Sequence, residues 1–380
     1  RDSCTLKQEG RIKAVIATGC LAERYRDEMK KEIPELDAVV GIGSNGKICD
    51  IIREILLDKQ AVCSYGAKTE LSMEGGRIIS TEPFYAYIKI AEGCSNNCTY
   101  CAIPSIRGKY RSRRMEDIVK EARWLAENGV TELVVVAQDT TRYGEDIYGK
   151  SMLPELLTAL CEIDGFKWIR TLYCYPERIT DELLDVIAKE DKLVKYLDMP
   201  IQHCDKTILK RMNRHGDRET LTALIKKIRE KIPNVTLRTT LITGFPGETE
   251  EQFEELCEFV KEIRFERLGC FAYSPEEGTP AEKFEDQVPL KDRERRAEII
   301  MEEQMIISDS LNEAALDSEV EVVCEGFDRY AECYYGRSQA DAPEIDGKIF
   351  FLSEDKVRVG EYVKVKIDDT MDYDLIGSKM

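Results

Sequence analysis

Apolar residues in the first 60 positions form two short runs, and each run is followed by a stretch with helical spacing. The short runs are residues 13–18 and 37–43, and the helical stretches are residues 21–32 and 48–57. Alternation of strand and helix is typical of a parallel α/β sheet. We therefore predict an α/β domain over residues 1–64 and a polar linker over residues 65–83.

Two strands are few for a sheet of this kind, and the sequence begins at Arg1 rather than at a methionine. Both observations predict that the N-terminal α/β domain is truncated here and that an upstream part belongs to the same protein.

The middle of the chain repeats one pattern, an apolar strand candidate with an amphipathic helix after it. The strand candidates are residues 84–90, 132–137, 168–173, 195–201, 235–242 and 267–273. The helix candidates are residues 115–128, 152–162, 180–190, 205–231 with a break near Gly216, 249–263 and 290–316. Strands joined by helices pair in parallel through right-handed crossovers, which predicts a partial (β/α)6 barrel over residues 84–316. In such barrels the chemistry lies beyond the carboxyl ends of the strands.

The last part of the chain changes to alternating strand patterns that are separated by turn residues. The candidates are residues 320–323, 349–352 and 363–367. This pattern predicts a small β-barrel over residues 317–380, joined to the middle part by the long helix.

The chain is acidic, with 73 Asp and Glu against 55 Lys and Arg and a formal net charge of −18. General nucleic-acid binding is disfavoured, because phosphate binding needs clustered Lys and Arg, whereas an acidic surface attracts a basic partner.

No apolar run approaches the roughly 18 residues that span a bilayer. No signal-peptide pattern is recognised. We therefore expect a cytoplasmic protein that does not enter a membrane.

Three of the 14 cysteines are closely spaced, in the pattern CxxxCxxC directly after the first barrel strand: Cys94, Cys98 and Cys101. The other cysteines are scattered and are interpreted as small buried apolar residues. A structural zinc ion takes four ligands, usually from two paired motifs, and no second pair follows this one. Three thiolates on a four-iron cluster leave one iron open to a substrate or cofactor. A zinc site and a chance cluster of cysteines are the alternatives.

The triplet, with Tyr100 before its third cysteine, resembles the radical S-adenosylmethionine (SAM) enzymes. The resemblance implies a [4Fe-4S] cluster on Cys94, Cys98 and Cys101, whose open iron chelates the amino and carboxylate groups of SAM. It also implies a low-potential electron donor, whose electron cleaves the cofactor to a 5′-deoxyadenosyl radical. The cofactor carries chemistry that side chains cannot perform. An iron–sulfur electron carrier without a substrate is the alternative from another class.

Longer segments resemble the methylthiotransferases among these enzymes. They are GCLAERY at 19–25, CAIPSIRGKYRSR at 101–113 and the small C-terminal β domain, which resembles the TRAM type. AQDTTRYG at 137–144 and YLDMPIQH at 196–203 are most similar to the RimO branch. This branch adds a methylthio group to the β-carbon of an aspartate in small-subunit ribosomal protein S-twelve. A tRNA-adenosine methylthiotransferase remains the alternative.

In this family three separated cysteines of the N-terminal domain hold an auxiliary cluster, and Cys20 matches the third of them. The first two are expected upstream, since Cys4 has no matching context. We therefore expect a second [4Fe-4S] cluster in the full-length protein and no stable one on this chain.

Polar residues follow several of the predicted barrel strands. We predict cofactor contacts for Tyr100, Gln138, Gln202 and Arg238, and we assign no catalytic residue. The segment 173–176 (YCYP) follows the third strand, and Gly244 and Gly247 would allow the backbone to approach a ligand closely. A turn before a helix would need the same glycines.

Two groups of charges bear on the substrate. A basic run could bind a carboxylate or a phosphate, or could be a solvated loop: Arg107, Lys109, Arg111, Arg113 and Arg114. Residues 318–380 contain 15 acidic against 8 basic residues. A barrel that binds RNA needs a positive groove, so this composition favours a basic protein substrate from the small ribosomal subunit.

Overall fold

The computed structural model describes residues 2–58 and 62–380. The chain forms two compact units, and each is made of several segments. The first unit comprises Arg1–Arg77, Glu92–Asn97 and Cys101–Arg111. The second comprises Ile78–Ala91, Cys98–Tyr100 and Ser112–Met380.

The first unit is built on a parallel sheet with the strand order β1-β2-β3. The strands are β1 (Ile16–Thr18), β2 (Ala38–Val40) and β3 (Val62–Ser64). The helices are α1 (Asp2–Gln8), α2 (Cys20–Glu32), α3 (Ile48–Asp58) and α4 (Ile103–Arg107). Val40 of the central strand packs with Ile51 and Ile55 of α3, which are spaced as one helix face. The predicted alternation of strand and helix is present, and β3 is an additional strand.

The second unit begins with six parallel strands that follow one another in chain order. They are β4 (Tyr85–Lys89), β7 (Glu132–Val136), β8 (Trp168–Thr171), β9 (Tyr196–Asp198), β10 (Thr236–Thr243) and β11 (Arg267–Ala272). Two short strands, β5 (Ala91–Glu92) and β6 (Arg111–Ser112), form a separate two-stranded sheet. The six strands pair as β4-β7-β8 and β9-β10-β11, and a bridge between Ile169 and Leu193 lies between the two sets. The predicted partial barrel is confirmed.

Helices alternate with these strands at the predicted places, and the short α6 (Glu145–Tyr148) is additional. The others are α5 (Met115–Glu127), α7 (Leu153–Cys161), α8 (Asp181–Lys189), α9 (Lys206–Arg211), α10 (Arg218–Lys231), α11 (Glu250–Ile263) and α12 (Leu290–Glu313). The predicted break near Gly216 separates α9 from α10, because Asp217 begins α10 with a capping box to Thr220. None of the described helices is long and apolar enough to cross a membrane.

The C-terminal strands close into a small barrel with the order β12-β13-β14-β16-β15. They are β12 (Glu319–Asp328), β13 (Cys333–Arg337), β14 (Ile349–Leu352), β15 (Tyr362–Met371) and β16 (Asp374–Lys379). Val322, Phe351 and Val365 are buried at its centre, as the alternating pattern requires. The small β-barrel predicted from the sequence is confirmed, with β13 and β16 as additional strands.

Charged side chains from β13 and the loop after it enter the six-stranded barrel. Glu132 accepts hydrogen bonds from Arg170 at 3.1 Å and from Arg337 at 2.7 Å, and all three side chains are buried. Asp341 pairs with Arg267 at 2.6 Å in the same layer. Removing one partner of such a buried pair is strongly destabilising, so the two barrels are energetically linked.

The scattered cysteines do not all behave as interpreted from the sequence. Cys161, Cys174 and Cys324 are buried, as expected for small apolar residues. Cys49 and Cys63 are exposed, so that interpretation is wrong for them.

Candidate functional site

The three closely spaced cysteines belong to both units: Cys94 and Cys101 to the first, Cys98 to the second. Cys94 is fixed through its backbone N–H, which donates to the carbonyl of Gly108 at 3.1 Å. Gly93 before it has φ +75°, and a Cβ there would lie 2.7 Å from the carbonyl oxygen of Gly108. Only glycine allows this close approach, so the loop that carries Cys94 requires a glycine at position 93.

Cys98 lies in a buried aromatic and cationic environment in the second unit. Its Sγ is 3.5 Å from the hydroxyl of Tyr175. The neighbouring Thr99 is anchored by its N–H to the carbonyl of Met212 and by its hydroxyl to the carbonyl of Arg211. The C-terminal end of α9 therefore fixes the backbone next to Cys98.

Arg214 completes this environment. Its guanidinium carbon lies 4.1 Å from the centre of the Tyr175 ring, and Nη2 donates to the carbonyl of Pro200 at 3.0 Å. The side chain is buried, yet Nε and Nη1 have no hydrogen-bond partner among the described residues. Unsatisfied donors in a buried cation fit an anionic group, because burying them without a partner is costly.

The donor set suits an iron–sulfur cluster better than a single ion. No group of three His, Cys, Asp or Glu side chains within residues 2–58 and 62–380 is placed to ligate one metal ion. A cluster makes no such demand, because its cysteine thiolates bind different irons. Thiolates are also the ligands that iron–sulfur clusters use, so the cysteine set fits the implied group.

Cys20 begins α2, directly after β1 and Gly19. Arg107, the last residue of α4, donates to its Sγ from Nε at 3.2 Å and from Nη2 at 3.0 Å. The remaining Nη1 of Arg107 donates to the buried carboxylate of Glu92 at 3.0 Å. Within the first unit, the guanidinium of Arg107 thus joins the Cys20 sulfur to the carboxylate of Glu92.

The other residues predicted to contact a cofactor have different environments. Tyr100 packs against Phe245 with ring centres 6.5 Å apart, and burial beside Cys98 raises the pKa of its phenol. Gln138 follows β7, and its buried Oε1 has no partner among the described residues. Gln202 has φ +70° and donates from Nε2 to Pro200. Arg238 is already paired with Asp198 at 2.8 Å. No hydrogen bond between described residues links Gln138, Gln202 and Arg238 to one another.

The two glycines after β10 are not open to a ligand. A Cβ on Gly244 would collide with the side chain of Arg293, and a Cβ on Gly247 would lie 2.5 Å from Asp286 Oδ2. The close approaches that require glycine here are therefore made by the protein itself. The helix begins at the N-cap Thr249, whose capping box with Gln252 leaves Glu248 free for another role.

Glu248 forms a buried ion pair under the loop that carries Gly244. It accepts the N–H groups of Gly244 and Phe245 and pairs with Arg296 at 2.9 Å. Burial raises the pKa of Glu248 to about 7, although Gly244 and Arg296 both favour its charged form. His203 lies 3.7 Å away, and burial lowers its pKa to about 3, so this histidine is neutral.

Arg296→Met should lower the free energy of unfolding by about 3–5 kcal/mol, because it leaves Glu248 buried without its cation. The raised pKa means that protonation favours folding, and this contribution is lost as the pH rises through about 7. The deficit of the variant should therefore be larger at about pH 8 than at about pH 5. Urea unfolding at both pH values measures it.

Arg295→Met is the matched control, because Arg295 pairs with Glu250 at the surface of the same helix. Exposed pairs contribute about 0–1 kcal/mol, so this variant should unfold close to the wild type at both pH values. Equal losses in the two variants would contradict the role given to the buried pair.

Most of the predicted basic run is engaged within its own unit. Arg107 binds Cys20 and Glu92, and Arg111 donates to the carbonyls of Lys68 and Thr69. Arg113 is buried and pairs with Glu121 at 2.7 Å. These contacts hold the chain after the cysteines in place and leave little of the run for a substrate.

Sequence reasoning missed Arg214 and Asp198 and gave Tyr175 no specific role. Tyr175 lies 77 positions from Cys98, and Arg214 follows helix α9 rather than a strand. Tyr175 follows the carboxyl end of β8, a feature that many structural residues share, and no such position marks Arg214.

Two models of known protein families match this chain. The family model of the radical SAM superfamily matches residues 88–260, and that of the TRAM domain matches residues 318–379. A radical SAM methyltransferase, TsrM from Kitasatospora setae, has a TM-score of 0.54 at 15% identity. The match covers 70% of this chain and 57% of that one, and it shows the fold alone.

Several close relatives share one name. The ribosomal protein uS12 methylthiotransferase RimO of Clostridioides difficile is 51% identical over 98% of this chain and 84% of that protein. The protein of the same name from Clostridium tetani is 48% identical over 96% of this chain and 82% of that protein. Similarity of this extent leaves one assignment, and the chain belongs to the RimO family of radical SAM methylthiotransferases.

Proposed function

We propose that this protein transfers a methylthio group to the β-carbon of an aspartate in ribosomal protein uS12, the protein called S-twelve above. The observation that carries the proposal is the 51% identity, over nearly the whole chain, to a uS12 methylthiotransferase. The acidic C-terminal barrel supports it independently, because it suits a basic protein substrate better than RNA.

The protein is an enzyme whose family works with [4Fe-4S] clusters and SAM. When bound, these groups supply a carbon radical strong enough to remove hydrogen from an unactivated carbon. Cys94, Cys98 and Cys101 are the ligands that we assign to the cluster of the barrel. Cys20 is assigned to the auxiliary cluster, through which the sulfur would arrive. A low-potential electron donor is required as a partner.

The chain's own residues prepare the place where this chemistry occurs. Tyr175 contacts the buried Cys98, and Arg214 stacks on the ring of Tyr175. The free N–H groups of Arg214 and the free Oε1 of Gln138 are available to a zwitterionic cofactor. Tyr100 and Gln202 border the same strand ends. Arg238 is held in an ion pair, so its effect on the cofactor would be indirect.

The domain division proposed for this function follows the sequence. Residues 1–64 form the N-terminal methylthiotransferase domain, residues 65–83 the linker, residues 84–316 the radical SAM barrel and residues 317–380 the TRAM-type barrel. A substrate that belongs to the small ribosomal subunit places the enzyme in the cytoplasm.

The alternative is the same reaction on an adenosine of tRNA. The barrel composition of 15 acidic against 8 basic residues opposes it, since an RNA-binding groove is positive. A direct test uses reconstituted enzyme that carries all three cysteines expected to hold the auxiliary cluster, and incubates it with SAM, a reductant and either uS12 or tRNA. Mass spectrometry should detect a methylthio group on uS12 and none on tRNA. The reverse result would establish the alternative.

Cys20→Ala separates the two cysteine roles in the same assay. It should retain cleavage of SAM to 5′-deoxyadenosine, because the triplet is intact, and lose methylthio transfer at least about 100-fold, because metal-ligand loss removes the auxiliary site. Cys63→Ala, at an exposed cysteine of the same unit, should match the wild type in both measurements. Unchanged methylthio transfer by Cys20→Ala would exclude Cys20 as a ligand of the auxiliary cluster.

A further inference from the structure

Tyr173 has a backbone conformation that its side chain does not favour. It follows β8 at the carboxyl end of the strand, where the barrel opens, and its φ is +61°. Bulky residues rarely adopt the left-handed region, and such strain persists only where the surroundings enforce it. A conformation of this kind at a barrel mouth points to a functional constraint on the side chain.

The surroundings enforce the conformation from both sides. The N–H of Tyr173 donates to Asp198 Oδ2 at 3.0 Å. Its carbonyl accepts the N–H of Thr140 at 3.0 Å and the hydroxyl of Thr140 at 3.1 Å. Asp198 and Thr140 are both buried, so these partners are themselves fixed.

Asp198 is held in turn by a charged chain that reaches the C-terminal barrel. Its Oδ1 accepts from Arg238 Nη1 at 2.8 Å, and Arg238 Nε lies 3.6 Å from Asp346 Oδ1. Asp346 belongs to the loop after β13 and accepts the hydroxyl of Tyr196 at 2.6 Å. The conformation of Tyr173 thus depends on ion pairs that extend far from the residue itself.

Tyr173 remains exposed to solvent although its backbone is fixed. Tyr173 is 44% exposed as a residue, whereas the following residues Cys174 and Tyr175 are buried. The hydroxyl of Tyr173 has no hydrogen-bond partner among the described residues.

We infer that Tyr173 contacts the polypeptide substrate, its hydroxyl donating a hydrogen bond to an oxygen of the segment that carries the target side chain. The inference rests on the proposed function and adds a specificity-determining residue to it. The position agrees with that role, because Tyr175, two residues further on, contacts the cluster cysteine Cys98. An exposed tyrosine presents a large contact area and a hydrogen-bond donor at a low cost in conformational entropy.

The test measures methylthio transfer to uS12 over a range of uS12 concentrations, by reconstituted enzyme that carries all three cysteines expected to hold the auxiliary cluster. Tyr173→Phe removes only the hydroxyl and should raise KM for uS12 about three- to tenfold, with kcat changed about twofold or less. Tyr173→Gly should raise KM further. It should not lower Tm, because glycine adopts a positive φ without strain. Tyr330→Phe, at a fully exposed tyrosine of the C-terminal barrel, is the matched control and should match the wild type.

Each outcome decides a separate point. If the wild type modifies uS12 and both Tyr173 variants keep its KM, the inference is wrong and the proposed function stands. A lower Tm in Tyr173→Gly with an unchanged KM would assign Tyr173 a structural role instead. If the wild type does not modify uS12, the proposed function fails, and the inference fails with it.

Discussion

Cys98→Ala should abolish the cluster of the six-stranded barrel and reduce the cleavage of SAM to background. The variant leaves two of three thiolates, which cannot hold a four-iron cluster stably. It also removes the sulfur that contacts the Tyr175 hydroxyl at 3.5 Å. Anaerobic reconstitution, followed by iron and sulfide analysis, visible absorbance and measurement of 5′-deoxyadenosine, gives four independent readouts.

Cys49→Ala is the matched control, since Cys49 is exposed on α3 and belongs to neither proposed cluster. It should keep the iron content and the cofactor cleavage of the wild type. Stoichiometric zinc in the wild-type protein, without sulfide-dependent absorbance, would overturn the cluster assignment. Full cleavage of SAM by Cys98→Ala would do the same.

The sequence predicted the barrel because its strands are buried and its helices are amphipathic. In β7, four of the five residues are buried, so the strand appears as a continuous apolar run. β3, β13 and β16 were missed because their residues do not alternate clearly. In β13, Gly336 packs so closely that a Cβ there would meet the side chain of Val322. A requirement of this kind comes from the neighbouring strand and leaves no periodic signal.

The candidate site was predictable only where its residues are close in sequence. Cys94, Cys98 and Cys101 share one loop, so their spacing alone indicates shared ligands. The fold alone brings Tyr175 to Cys98 and Arg214 to Tyr175, and no local sequence pattern marks either residue. Gly244 and Gly247 fitted both a ligand approach and a turn before a helix, and the structure places protein side chains against them, as the second interpretation requires.

The double variant Asp368→Lys and Asp369→Lys should weaken the binding of uS12 about tenfold at low salt. Both residues are exposed on β15, and no ion pair involves them in the described part of the chain. Glu321 is a poorer choice for charge reversal, because it already pairs with Lys167 at 2.6 Å. Long-range attraction is screened within about 8 Å at physiological salt, so the effect should shrink as salt is raised.

The measurement is equilibrium binding of the whole chain to uS12 and to a tRNA anticodon arm. The whole chain is needed because Arg337 and Asp341 of the C-terminal barrel are paired with Glu132 and Arg267.

Glu294→Lys with Glu298→Lys makes the same charge change on α12 and is the matched control. It should bind uS12 much as the wild type does, if the attraction is local to the C-terminal barrel. Equal weakening in both double variants would mean that only the net charge of −18 matters. Preference of the wild type for the anticodon arm would instead show that a local positive groove outweighs the acidic average, and tRNA would become the favoured substrate.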